Sequence, residues 1–216
     1  MTMHFADHGA SPVRPADVER WLTDLGLEPI ERAERDGIAS WDLVLDGRRR
    51  LDLRVTIILE PSLALICWAH FAPPINDMFR KSYRRLLRWN DEFPFAKFSV
   101  GEDERPLLAV EIPIIALGSG AAGEPAPGNA RGEAPRAAVA VAAARAVTDR
   151  AAADMLGTAL ARIVGIADRL FDESRDWLWI GGRMPDTGAR TRRNPAFIAR
   201  FATRLPELFE AAETPG

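Results

Sequence analysis

Residues 75–113 read INDMFRKSYRRLLRWNDEFPFAKFSVGEDERPLLAVEIP, and this stretch decides the fold. Ile75, Phe79, Tyr83, Leu86 and Leu87 recur at helical spacing, while Arg80, Lys81, Arg84, Arg85 and Arg88 fall mostly on the opposite side. The helix runs through Trp89 and Asn90 into Phe93-Pro94-Phe95-Ala96-Lys97-Phe98, then two short strands follow, split by the polar turn Gly101-Glu102-Asp103-Glu104-Arg105. Trp89, Asn90 and Phe95 to Phe98 are therefore expected as core and junction residues. The unit defines an architecture and carries no catalytic group.

Upstream, Val18, Trp21, Leu22 and Leu25 repeat with helical spacing after Pro15, and Gly26 supplies a stop. From Ile38 to Phe71 the pattern is that of strands. Trp41, Leu43 and Leu45 form one run, Leu51 to Ile57 a second and Leu63 to Trp68 a third, with turns at Asp46-Gly47 and Glu60-Pro61-Ser62. This is an antiparallel meander, extendable by residues 29–34 through the turn at Asp36-Gly37.

Downstream of the strand Leu107 to Ile115, residues 118–136 are made largely of Gly, Ala and Pro and read as a flexible insertion or linker. The Ala-rich segment after it can extend a helix from about residue 138, but a single helix to residue 175 would be unusually long. Thr148-Asp149 is the expected N-terminus. That helix places Leu156, Leu160, Ile163, Ala167 and Leu170 on one stripe. Gly157, Ala161 and Gly165 recur every four residues. An interior glycine costs about 1 kcal/mol relative to alanine, so close packing against the sheet or a second protomer should compensate. After Trp177-Leu178-Trp179-Ile180 comes an arginine-rich loop, then a last helix from Asn194-Pro195 with Phe197, Ile198, Phe201, Leu205, Leu208 and Phe209 as its apolar stripe, split or kinked by Pro206. Amphipathic helices usually bury their apolar face within their own chain, so the tail is expected to fold back onto its own core.

The expected class is α+β, an antiparallel sheet of about five strands flanked by helices, in the order helix, three strands, helix, two strands, helix. One domain spans 14–176, interrupted at 118–136, and a C-terminal helical tail spans 177–216. With 216 residues and 47% hydrophobic content the chain can bury a full core. Its 28 basic and 31 acidic side chains leave a net charge of -3, so no global field favours nucleic acid or anionic lipid. Cys67, the single cysteine, excludes an internal disulfide and fits a reducing cytoplasm. Met1 to Ala10 lack the pattern of a signal peptide. The apolar run Ile57 to Phe71 is too short and too broken by Glu60 and Pro61 to span a bilayer.

Gly118-Ser119-Gly120-Ala121-Ala122-Gly123 spells a dinucleotide-binding motif, but Pro125 and Pro127 deny the helix whose N-terminal amides would hold a pyrophosphate. Asp186-Thr187-Gly188-Ala189 spells an aspartic-protease tetrad without an apolar lead-in strand, and reads as a solvated turn. His4, His8 and His70 are too few for a metal site or a catalytic base, and no serine or cysteine sits in a nucleophile elbow. No cofactor, metal or catalytic residue is assigned. Trp177, Trp179, Arg183, Arg190, Arg192 and Arg193, close together in sequence, are the candidate partner-binding residues. The same combination can stack on and neutralise single-stranded RNA, the alternative function, although these arginines can equally pair with Asp172, Glu173 and Asp176.

The order of elements resembles the type III secretion chaperone-like fold, and within it YbjN-type proteins. The resemblance is carried by Leu86-Leu87-Arg88-Trp89-Asn90, by Phe95 to Val100, by Leu107 to Pro113, and by the helix holding Ala159 to Ile166, Ala167-Asp168 and Leu170. Residues 118–136 and the tail from Trp177 depart from that pattern. The resemblance implies a non-enzymatic, cofactor-free, dimeric protein-binding or regulatory module that holds a protein or peptide partner along apolar surfaces and strand edges. It transfers no catalytic residues.

Overall fold

The structure, a computed structural model, describes residues 13–72, 74, 80–117, 134–178 and 191–209, with the side chains of 80–81, 134–141 and 172–178 excepted. Helix α1 (Pro15–Asp24) has proline in its first turn, and Asp17 there accepts the Arg14 N–H at 3.0 Å. Gly26, at φ 68°, ends it in a Schellman arrangement, with the Leu27 N–H on the Leu22 carbonyl at 2.9 Å. Strands β1 (Glu31–Arg35) and β2 (Ile38–Leu45) meet through Asp36 and Gly37, both with positive φ, the geometry of a type I′ hairpin.

Strands β3 (Leu53–Glu60) and β4 (Ala64–His70) complete the meander. Helix α2 (Arg80–Glu92) then leads to β5 (Lys97–Val100) and β6 (Pro106–Pro113). All six strands pair antiparallel in the order β1-β2-β3-β4-β6-β5. The short turn α3 (Ile114–Leu117) follows, so the strand expected to reach Ile115 ends at Pro113, where the Ile114 N–H turns to the Leu63 carbonyl.

Within the core, neighbouring strands align Trp41, Ile57, Cys67 and Val110 in one layer and Leu43, Val55, Ala69 and Leu108 in the next. Asn90 is the expected junction. Its side-chain oxygen accepts the Phe98 N–H at 2.7 Å, and its amide donates to the Phe98 carbonyl at 3.2 Å. Trp89, Ala96 and Phe98 are buried as expected, but Leu87 is 68% and Phe95 90% exposed. The buried stripe of α2 is narrow: Ser82, Leu86, Trp89 and then Phe93 fill it, which turns Leu87 outward. The reversal at Phe93–Ala96 buries its two ends and projects Phe95. Ile75 and Phe79 lie outside the described residues.

The largest departure from expectation is α4 (Ala134–Leu178), a single helix of 45 residues that starts before Thr148-Asp149. No glycine or further proline interrupts residues 136–156, and alanine is the best helix former. Thr148 does not cap. Its hydroxyl donates back to the Ala144 carbonyl at 3.2 Å within the helix. The first three residues of α4 belong to the stretch read as a linker, and 118–133 lie outside the described residues.

Leu156, Leu160, Ile163, Ala167 and Leu170 are buried as expected. The tail, α5 (Pro195–Ala202) and α6 (Pro206–Phe209), separated at Pro206, packs on the other side of α4. The small-residue stripe faces this tail: Phe201 lies on Gly157, and Leu208 and Phe209 lie on Gly165. Of the two surfaces expected opposite the stripe, the sheet does not fill that role: the chain's own tail does, with Leu25 beside Phe201 at Gly157.

Candidate functional site

Alternation along the strands gives the sheet two faces, and only one belongs to the hydrophobic core. The core cluster takes Trp41, Leu43, Val55, Ile57, Cys67, Leu108 and their neighbours, and leaves out Val44, Ile58, Ile66, Trp68 and Leu107. These five are half-buried and share the opposite face. Register places Ile58 beside Ile66, Thr56 beside Trp68, and Trp68 beside Ala109. Trp68 thus stands on the central strand β4, its ring edge-on to His70 with centroids 4.9 Å apart. Among the described residues, the Trp68 indole N–H and His70 Nδ1, both buried atoms, find no hydrogen-bond partner.

Charged groups ring this apolar centre. On the β1–β3 side Arg54 pairs with Asp42 and, at 3.1 Å, with Glu31, and Asp42 also accepts the Thr56 hydroxyl at 2.5 Å. On the β5–β6 side Lys97 lies 3.7 Å from Glu111. His70 Nε2 lies 4.0 Å from Asp103 at one end. An apolar centre with an aromatic anchor and an ion-paired rim is the composition of a protein-binding patch.

Both sheet edges carry features that oppose strand addition. The Asn90 amide described above occupies the outward N–H and C=O of Phe98 on edge strand β5, as a neighbouring strand would. Strand β1, Glu-Arg-Ala-Glu-Arg, is exposed throughout and defended by charge. Asn90→Ala is expected to cost about 1 kcal/mol for the lost hydrogen bonds and to free one edge. Chemical denaturation and thioflavin binding on ageing check this; an unchanged midpoint would refute the role given to Asn90.

Of the sequence-derived candidates, Trp179, Arg183 and Arg190 lie outside the described residues, as does the Trp177 side chain at the end of α4. Arg192 and Arg193 are turned onto the β2–β3 loop. Arg192 Nη2 donates to the Arg48 carbonyl at 2.5 Å, the Arg193 guanidinium pairs with Asp52 at 2.8 Å, and the Arg193 N–H donates to buried Asp46 at 2.7 Å. Asn194 adds a bond to the Val44 carbonyl at 3.2 Å. These contacts fasten the tail to the meander.

Two further places hold ionisable groups. Burial pushes the Cys67 thiol up to about 12, which fits an inert core thiol. An open cleft of about 1030 Å³ between α1, α4 and α5 is lined by Arg20, Arg200, Arg204, Asp149 and Asp154 among others. Arg20 bonds both Asp17 and Asp149 at 2.9 Å, and Asp154 bonds both Arg200 and Arg204. Burial raises the Asp154 carboxyl, but the hydrogen bonds from Arg204 and Arg200 outweigh it and hold the group below its ordinary range. The cleft is an ion-pair seam joining three helices. Among the described residues no His, Cys, Asp and Glu group is placed to hold a metal ion, and no helix is long and apolar enough to cross a membrane.

No curated protein matches the chain. A family model does, over residues 14–123, a span that contains α1, the whole sheet, α2 and α3 and ends before α4. The second face of the sheet and its Trp68 centre therefore lie within the matched region, and the tail lies beyond it. The chain belongs to the YbjN family, whose description is "Putative bacterial sensory transduction regulator".

Proposed function

We propose that this chain is a non-enzymatic regulatory module that receives a protein partner, or a second copy of itself, on the Trp68 face of its sheet. The observation that carries the reading is the Trp68-centred apolar patch, which lies outside the core cluster. Tryptophan is the residue most often found as an interface anchor. The regulatory description of the family and the resemblance to secretion chaperones support a binding role of this kind. Because the β5 edge is occupied by Asn90 and the β1 edge is charged, recognition runs through side chains on the face rather than by strand addition. The lone buried cysteine supports a reducing compartment such as the cytoplasm.

The test compares the full chain with Trp68→Ala and Ile66→Asp. Truncating an interface anchor weakens binding by about 2 kcal/mol, roughly thirtyfold. Affinity capture from native lysate with quantitative mass spectrometry reads a heterologous partner, and sedimentation velocity reads self-association. Circular dichroism shows that the variants remain folded. If both variants leave the captured proteins and the sedimentation coefficient unchanged, the face is not the binding surface.

A further inference from the structure

A second surface, at the C-terminal end of α2, is built in a way the free molecule does not favour. The Phe93 carbonyl accepts the Ala96 N–H at 3.1 Å, so Pro94 and Phe95 are the central residues of a β-turn. The proline ring sets a negative φ at the first position, and Phe95 has φ 63° at the second, so the turn is type II. Glycine fills that second position without strain, and a bulky side chain there is an outlier. Phe95 combines this strained backbone with 90% exposure of its ring. Strained residues cluster at binding sites, where the surrounding structure holds them in place.

Here the surrounding contacts hold the turn in place. Phe93 is buried, the Arg162 guanidinium donates to the Pro94 carbonyl, and Arg169 stands over the Phe93 ring at 5.3 Å while bonding Glu92 at 3.4 Å. Along the outward side of α2, leading up to Phe95, lie Arg84, Leu87, Arg88 and Asp91, all exposed. Among the described residues Arg84 and Arg88 have no ion pair, whereas Arg20, Arg32, Arg54, Arg193, Arg200 and Arg204 each bond a carboxylate. Two cations without an ion pair therefore flank an exposed leucine on α2, the helix whose C-terminal turn carries the projecting Phe95.

We propose that Phe95, Leu87, Arg84 and Arg88 dock an acidic protein segment with apolar side chains. Its carboxylates meet Arg84 and Arg88, and its apolar residues cover Leu87 and the Phe95 ring. The surface offers two cations interleaved with apolar Leu87 and ending near exposed Phe95, a pattern that fits a segment carrying both carboxylates and apolar side chains and gives a phosphate backbone no continuous run of cations. Two apolar side chains and two free cations fall short of what holds a helix in a membrane interface. This surface is separate from the Trp68 face of the sheet, and the inference stands independently of the function proposed for that face.

The probe is a phage-displayed library of random twelve-residue peptides, selected on the full-length protein. Enriched peptides are expected to combine Asp or Glu with Leu, Ile, Phe or Trp, and to lose about tenfold or more in affinity with Phe95→Gly and with Arg84→Glu/Arg88→Glu. Phe95→Gly releases the strained φ, so its melting temperature is expected to hold or rise while binding falls. A structural role for the ring would lower that temperature. Trp68→Ala is expected to bind the same peptides normally. Enrichment without acidic residues, binding retained by Phe95→Gly, or a lowered melting temperature for that variant overturns the proposal. So does Phe95-dependent retention on polyuridylate or on phosphatidylglycerol vesicles run in parallel.

Discussion

Gly157→Val is expected to destabilise the protein by about 3 kcal/mol and to release the tail from α4. A Cβ at position 157 would lie 2.7 Å from Leu25 Cδ2 and 2.9 Å from Phe201 Cε2, and it would meet Phe201 Cζ as well. None of these can retreat easily. Phe201 is fully buried, its ring contacts Phe197 with centroids 5.1 Å apart, and the guanidinium groups of Arg200 and Arg204 lie 5.1 and 5.5 Å from its centre. Those two arginines are themselves fixed by Asp154. A larger residue must therefore lift α5 or bend α4. Alanine at this position recovers about 1 kcal/mol of helix propensity yet places the same Cβ against the same ring, so it too should be destabilising. Urea denaturation gives the stability change, and limited proteolysis between residues 191 and 209 reports tail release. A valine variant with the parent's midpoint and protease resistance would show that the close approach of α5 and α4 is not a constraint.

Asp168→Ala is expected to cost about 3 kcal/mol through a different mechanism. The Asp168 side chain, 5% exposed, projects from α4 to the β2–β3 loop, where one carboxylate oxygen accepts both the Arg49 N–H and, at 2.7 Å, the Arg50 N–H. Removing it leaves two backbone donors without an acceptor, at about 1–3 kcal/mol each where water cannot replace it. The same oxygen would lie 2.5 Å from a Cβ at Gly47, so only glycine lets the loop close over the carboxylate. Asp46 holds the loop from the other side, accepting the Asp52 N–H at 2.8 Å and the Arg193 N–H at 2.7 Å. Asp168→Asn keeps an acceptor and should lose less. Hydrogen exchange at the Arg49 and Arg50 amides separates this cause from general loosening. Selective loss of their protection is the expected result, and retained protection in the alanine variant contradicts it. Because both predicted lesions weaken the hold on the tail, their combination should cost less than the sum.

Much of the fold is written in local chemistry. Pro15 and Gly26 bracket α1, Asp36-Gly37 has the backbone freedom a type I′ turn demands, and period-2 alternation marks β2 to β4. Of the tail stripe, Phe197, Phe201, Leu205, Leu208 and Phe209 are buried on their own chain and Ile198 is half-buried against the same core, as the amphipathic pattern predicted. The start of α4 was less legible, because Thr148-Asp149 offers a cap signal and an alanine run offers none against continuing. Leu87 and Phe95 were misplaced for a related reason: an apolar residue near the edge of a helical stripe does not say which way it turns, and Trp89 already fills the space.

The candidate surface shows the same limit. Ile57-Ile58-Leu59 and Leu65-Ile66-Cys67-Trp68 are apolar at consecutive positions, a pattern that fits strands covered on both faces. Polar Asp42, Thr56 and Arg54 on the same side as Trp68 were the available signal that one face lies outside the hydrophobic core. That signal becomes plain only once register sets these residues side by side.

The sequence by itself determined the elements, their order and their turns, because caps, breakers and periodicity act over a few residues. Only the tertiary structure decided what each apolar surface meets. Which face of the sheet α4 covers depends on contacts between segments about 100 residues apart, and no local preference specifies them. The Gly157–Gly165 stripe receives the chain's own tail because Phe201, Leu208 and Phe209 fit there and Arg193 and Asn194 anchor the segment that carries them.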